Sequence, residues 1–392
     1  MSLGPAFRWI SCFLAAAMLA ACSGPSRPRP DWSASPKGEA DIAAECQRQQ
    51  ADLDKALETL ASHPHKGGMD VLALSAGGQS GAFGAGIMQG WTEQGDRPEF
   101  SLITGVSTGA LIAVFAFIGP EGDAALRELY TTHSTSDVYT RRWWVELPFN
   151  DSYARSSPLR SMITRHLTED VVCRIADEQA KGRVLLIATA DLDLNHLRIW
   201  NMSALAADES MSLSERTARF REILAASLSI PTLVPPVFLD QHMHADGGLF
   251  LQVFLADRDR EEEFHRVLCA DGPPRIWTII NRRLAAPPRV IDDHIIDVTK
   301  RSLQILVDSG LIKDIDEIRH FATDCGGRFS LAILPTDPSR PDPADMFDRE
   351  YMRSLHDLGV GMAHSGQAWT GPPVPKSTPA ARASSGEPRS GP

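Results

Sequence analysis

Two strings of residues, far apart in the chain, are of types that could share one reaction. Gly105-Val106-Ser107-Thr108-Gly109 is a G-x-S-x-G pentapeptide, and Asp246-Gly247-Gly248 lies well downstream. Glycines on both sides of a serine permit crowding between an incoming strand and an outgoing helix. Ser107 would then sit at a helix N-terminus, where free amides favour developing negative charge. A third string, Ser75-Ala76-Gly77-Gly78-Gln79-Ser80-Gly81, is built of small residues. Its backbone N–H groups, Gly77 and Gly78 foremost, could converge on one anion. A serine nucleophile beside an oxyanion-binding loop is equipment for acyl-ester hydrolysis.

A serine also needs a base. In a hydrolase triad an acid and then a histidine follow the nucleophile. His265, His294, His320, His356 and His364 have the right order, but none sits in a recognisable loop after a late strand. Asp246 precedes two glycines and an apolar stretch, and a carboxylate within reach of Ser107 could take its proton directly. A low-dielectric pocket would raise its basicity. The bland alternative for Asp246 is an aspartate-glycine turn closing a hairpin. His242-Met243-His244 would turn both imidazoles and Asp246 to one face of a strand. No H-E-x-x-H spacing accompanies them. They read as a surface strand leading to the site, and no metal is expected. The glycine loop lacks G-x-G-x-x-G and G-K-[ST] spacing, so nucleotide-binding loops are excluded.

The elements that must hold these residues alternate. Val71–Ser75, Ser101–Thr104, Val184–Ala190, Leu197–Met202, Arg275–Asn281 and Phe329–Leu334 read as strands, several as short apolar runs suited to a sheet buried on both faces. Helical spacing marks 39–61, 82–91, 109–118, 214–227, 295–321 and 345–363. Alternation of this kind implies an α/β layered domain. Residues 130–165, with aromatics and arginines but poor periodicity, read as an insertion near the mouth of the site.

The chain has 392 residues and a net charge of −11. That charge argues against a nucleic-acid partner held by phosphate neutralisation. Arg8 and the apolar run Trp9–Ala21 have the proportions of a signal peptide over 1–21. Leu19-Ala20-Ala21-Cys22 resembles the bacterial lipobox, which makes Cys22 the expected lipidation position and the membrane the expected anchor. Ser23 after it favours the outer membrane of a Gram-negative cell. A tether and an N-terminal helix are expected over 22–66, the catalytic domain over 67–366 and a disordered tail over 367–392. Without Cys12 and Cys22, four cysteines remain, and sequence leaves their three pairings open.

Together, the glycine loop, the G-x-S-x-G string, D-G-G and the block Ala225-Ala226-Ser227-Leu228-Ser229-Ile230-Pro231-Thr232-Leu233-Val234-Pro235-Pro236-Val237 resemble the patatin-like phospholipase family over residues 69–250. The resemblance implies a layered α/β fold with a mainly parallel central sheet flanked by helices. It also implies a Ser-Asp dyad acting on a lipid or ester substrate through an acyl-enzyme, without metal or organic cofactor. On this chain Ser107 would be the nucleophile, Asp246 the base, and Gly77 and Gly78 the oxyanion donors. Gly81, Gly105, Gly109, Gly247 and Gly248 would be motif glycines. The family's loop usually reads G-G-G-x-R-G, whereas Ala76 and Ser80 stand here, which bears on phospholipid preference. Two alternatives stay open: a conventional Ser-His-Asp esterase, and a degenerate fold serving as a membrane-anchored binding protein.

Overall fold

A computed structural model describes residues 36–65, 67–138, 140–141, 154–155, 157–231, 233–284, 290–337, 343 and 346–370. The expected signal segment and Cys22 lie outside the described residues. Eight strands form the central sheet: β1 (Asp70–Leu74), β2 (Leu102–Val106), β3 (Val184–Asp191), β4 (His196–Asn201), β5 (Val237–Leu239), β6 (His242–Asp246), β7 (Arg275–Ile280) and β8 (Arg328–Ile333). Their order is β8-β7-β1-β2-β3-β6-β5, with β4 also paired to β3. The first five run parallel. β4 and β6 are antiparallel to β3, and β5 is antiparallel to β6. The sheet is therefore mixed but mainly parallel, as expected.

The longer helices are α1 (Pro36–Ala61), α2 (Gly81–Gln94), α3 (Thr108–Phe117), α4 (Asp123–Thr131), α5 (Ser157–His166), α6 (Glu169–Gln179), α7 (Leu213–Ser227), α8 (Glu261–Leu268), α9 (Ile295–Asp324) and α10 (Arg349–His364). They cover both faces of the sheet. Leu72, Leu74, Ile103 and Ile187 join one apolar cluster with α2, α3 and α7. Val71, Ala73, Leu102 and Leu186 join a second with α1, α8 and the C-terminal half of α9. With both faces dry, neighbouring strand positions are mostly apolar and the strands read as nearly continuous runs. Every residue of α3 is buried, as its sequence demands.

α2 forms despite three interior glycines because it crosses α10 backbone to backbone. A Cβ on Gly86 would stand 2.1 Å from the His356 carbonyl oxygen, and one on Gly359 2.3 Å from that of Phe83. α1 is held to the sheet by buried Leu53, Ala56 and Leu60 and by one ionic contact. Arg198 of β4, 2% exposed, donates to Glu45 (2.8 Å) and Asp52 (2.6 Å), its guanidinium lying 4.2 Å over the Trp200 ring.

Two expectations need correction. Residues 367–370, assigned to a disordered tail, are packed. Trp369 lies 4.6 Å from Trp91 and 4.9 Å from Trp277 between ring centres, and Thr370 bridges to Leu331. A tryptophan in that aromatic nest outweighs the Pro/Gly/Ser composition around it. The strand carrying His242 and His244 is interior, not surface: the two are 4% and 1% exposed. The disulfide joins Cys269 to Cys325, at the C-terminal ends of α8 and α9, and Cys46 and Cys173 are free and exposed.

Candidate active site

The sheet pairing itself brings Ser107 to Asp246. A strand has two hydrogen-bonding edges. β4 occupies one edge of β3 from Leu186 to Asp191. On the other edge β2 pairs with Val184–Ala188, ending with Val106 opposite Ala188. β6 takes the next positions, running the opposite way and ending with Asp246 opposite Thr189. The two strands meet end to end, so the residue after Val106 faces the last residue of β6. The Ser107 side chain is close enough to the Asp246 carboxyl to lower its pKa. Both residues are nearly inaccessible, 3% for Ser107 and 6% for Asp246.

Ser107 has φ 56° and ψ −126°, a conformation that costs a residue with a side chain of order 1–3 kcal/mol. Its surroundings impose it. The Ser107 N–H donates to Ser227 Oγ (3.0 Å), which donates to the Ala188 carbonyl (2.8 Å). α3 starts immediately, its Ala110 N–H bonded to the Ser107 carbonyl. The glycines are required by contact: a Cβ on Gly109 would lie 2.3 Å from the Leu74 carbonyl oxygen, and one on Gly105 2.6 Å from that of Gly109. Gly247 packs in the same way against the Ala188 carbonyl.

Burial raises the Asp246 carboxyl to about 6, against the counter-pull of the Ser107 side chain and of the hydrogen bond from the Gly248 N–H (2.8 Å to Oδ1). A carboxyl tuned toward neutrality is a competent proton acceptor in the physiological range.

The glycine loop follows β1 at the same sheet edge. Gly77 lies against Asn281, at the end of β7, and Gly78 has φ 56°. Neither N–H donates to any described residue. Gly78 and Ser107 line one cavity, whose walls are mostly apolar: Leu111, Leu129, Leu159, Met162, Leu233 and Met352. Leu159 and Met162 come from the stretch expected at the site mouth. Gly81 meets the Thr108 hydroxyl, which is bonded to the Tyr130 hydroxyl.

Among the five downstream histidines considered from sequence, none lines this cavity. His133 does. Lying upstream of Asp246, it was invisible to an argument from chain order. Its Nδ1 is near the Thr132 hydroxyl (3.2 Å) and the Glu128 carbonyl (3.3 Å).

His242 and His244 are brought together with a partner that sequence did not supply. Asp191 stands opposite His244 in the β3–β6 register. The three offer ligand atoms within 4.8 Å of one another, a donor set that could accept a transition metal. They are already satisfied without one. His242 Nδ1 lies 2.7 Å from Asp191 Oδ2, His244 Nδ1 lies 3.0 Å from the Thr189 hydroxyl, and Asp191 Oδ1 accepts from the N–H groups of Asp193 and Leu194. Burial holds the His244 imidazole well below its usual range, hence neutral.

The fold and the end-to-end strands thus describe an α/β protein with a strained serine at a strand-helix turn, close to a buried carboxyl. The family model described as patatin-like phospholipase matches residues 72–257, so a domain of that family is found in the chain, and the match includes Ser107, Asp246 and the glycine loop. No curated protein matches the sequence. Among solved structures the chain is similar to VipD from Legionella pneumophila, at 10% identity and a TM-score of 0.36, over 78% of this chain and 68% of that one.

Proposed function

We propose that the chain is a patatin-like acyl-ester hydrolase working through a Ser107–Asp246 dyad. The observation that carries this reading is the end-to-end meeting of β2 and β6, which couples a strained serine to a buried carboxyl of raised pKa. Asp246 takes the Ser107 proton as Oγ attacks the ester carbonyl. The oxyanion is held by the free N–H groups of Gly77 and Gly78. The intermediate collapses, the alcohol leaves with the proton from Asp246, and the acyl group stays on Ser107. Water then attacks, Asp246 accepts its proton, and the fatty acid departs as Oγ is reprotonated. The apolar cavity beside Ser107 suits an acyl chain, which makes a lipid ester the substrate class.

Labelling with a fluorophosphonate and hydrolysis of a panel of phospholipids, lysophospholipids and simple esters test this. Wild-type protein should label and turn over, and Ser107→Ala should do neither. An unlabelled wild type would favour a binding protein, the alternative raised by Ser80 in place of the family's arginine. A second reading rests on His133, which lines the same cavity. If His133→Ala is dead while Asp246→Asn turns over, the base is the histidine. Lipid attachment at Cys22, in a Gram-negative outer membrane, remains part of the proposal. Metabolic labelling with a fatty acid, lost in Cys22→Ser, tests it.

A further inference from the structure

α9 is longer than the sheet it packs on. It runs from the C-terminal edge of the strands back to the N-terminal edge, where β8 begins. At about 1.5 Å per residue its 30 residues span about 45 Å, whereas the six residues of β8 span about 20 Å. The level of the edge is marked by Arg282, just past β7, which donates to Asp308 (2.8 Å). From Leu311 onward the helix is packed: Leu311, Ile315, Ile318 and Phe321 are buried beside Leu251, Val253 and Phe254. Residues 295–307 extend about 20 Å past the edge. That edge carries Ser107, Asp246 and the glycine loop.

No described side chain in 295–310 is buried, yet the segment is amphipathic. Around a 3.6-residue turn, Asp297, Arg301, Gln304 and Asp308 gather within about 60° of arc, and Val298, Ile305, Leu306 and Val307 lie outside it. Leu306 is 68% exposed and Ile305 52%. Leu249 and Phe250, which follow Asp246-Gly247-Gly248 directly, are also exposed.

α1 points the same way. Its Gln49 contacts His196 (3.2 Å), opposite Asp191 at the catalytic end of β3, while its C-terminal end leads to His65 beside Ser101, before β2. Pro36 therefore lies beyond the catalytic edge, and the lipobox-like Cys22 stands 14 positions before it in sequence.

We infer that the projecting half of α9, with Leu249 and Phe250, is a docking surface for a lipid membrane, which it brings against the catalytic edge. The polar side mixes acids and bases, so docking rests on apolar insertion rather than on anionic lipid. The substrate class rests on the proposed function, but the docking does not. Among the described residues no helix is long and apolar enough to cross a membrane, so α9 lies on the surface.

The test uses the full chain with Cys12, Cys22, Cys46 and Cys173 replaced by Ser. An environment-sensitive fluorophore is attached at Leu306→Cys or, as control, at Gln304→Cys. With phosphatidylcholine vesicles the label at 306 should shift to the blue and be quenched by nitroxide-bearing acyl chains, and that at 304 should not. No shift at 306 at any lipid concentration would overturn the inference. So would a shift that needs only protein concentration, which would mark a second copy as the occupant. In the otherwise unaltered chain, Ile305→Glu/Leu306→Glu should lower turnover of vesicle phospholipid roughly tenfold or more. Turnover of a water-soluble short-chain ester should be unchanged. Equal turnover of vesicle lipid by both proteins counts against docking. If neither hydrolyses any ester, the proposed function fails while the fluorophore still decides the docking.

Discussion

Replacing Asp246 by Asn separates catalysis from stability. The amide can still accept the Gly248 N–H, so the loop geometry survives, but it cannot take a proton from Ser107. Ester turnover should fall at least about 10³-fold. In the native protein kcat/KM should rise with pH and level off above about 6, the value to which burial lifts this carboxyl. Stability should move the other way. The folded-state value of about 6 lies above the ordinary 3.8, so between these two pH values the native state keeps a proton that the unfolded state has released. Native stability therefore falls as pH rises through this window and is level above it. The difference of about 2.2 units, at 1.36 kcal/mol each, makes about 3 kcal/mol. The amide of the Asp246→Asn variant carries no charge at any pH and escapes this loss. Asp314, also raised to about 6 by burial, is common to both proteins and cancels in the comparison. Urea unfolding of wild type and Asp246→Asn from pH 3.5 to 7.5 should show the variant gaining about 3 kcal/mol on the wild type across the window. A gain that does not change with pH would mean that the carboxyl is not ionised in a dry site, and the general-base argument would go with it.

Three further outcomes follow from contacts around the same residues. Ser107→Gly and Ser107→Ala should both be inactive, but the glycine variant should be the more stable by about 1 kcal/mol in thermal or urea unfolding, since only glycine relieves the positive φ. Gly109→Ala should fail to accumulate as soluble folded protein, or unfold at much lower denaturant, because its Cβ would meet the backbone carbonyl of Leu74 at 2.3 Å; unchanged circular dichroism and melting would contradict that contact. Arg198→Ala should destabilise by about 2–3 kcal/mol, since it takes one of two arginine partners from buried Glu45, leaving it only the half-exposed Arg48, and hydrogen exchange should rise first in α1.

How much of this was legible in sequence divides along a physical line. Strands buried on both faces and the all-apolar α3 announce themselves, because the burial that makes them also selects unbroken apolar runs. The serine turn and the glycine loop were legible because close backbone approach demands glycine at 77, 105 and 109, and a positive φ favours it at 78. What stayed hidden depends on register between distant strands. Asp191 looks like any acid at a strand end until β6 lies opposite it, and only then are His242 and His244 interior. Arg198 sits in an ordinary alternating strand, and nothing local says that two acids of α1 will cover it. His133 was passed over because an argument from chain order looks only downstream, whereas cavities are assembled from whatever walls the fold provides. The same limit applies to Asp246. Residue type and flanking glycines made it a candidate, but an aspartate-glycine turn at the end of a hairpin has the same signature. It is in fact also the last residue of a hairpin strand. That hairpin turns at Asp240–Gln241, not at Asp246-Gly247, and it sets where the carboxyl stands, because an antiparallel strand entering the edge of β3 must stop where β2 stops.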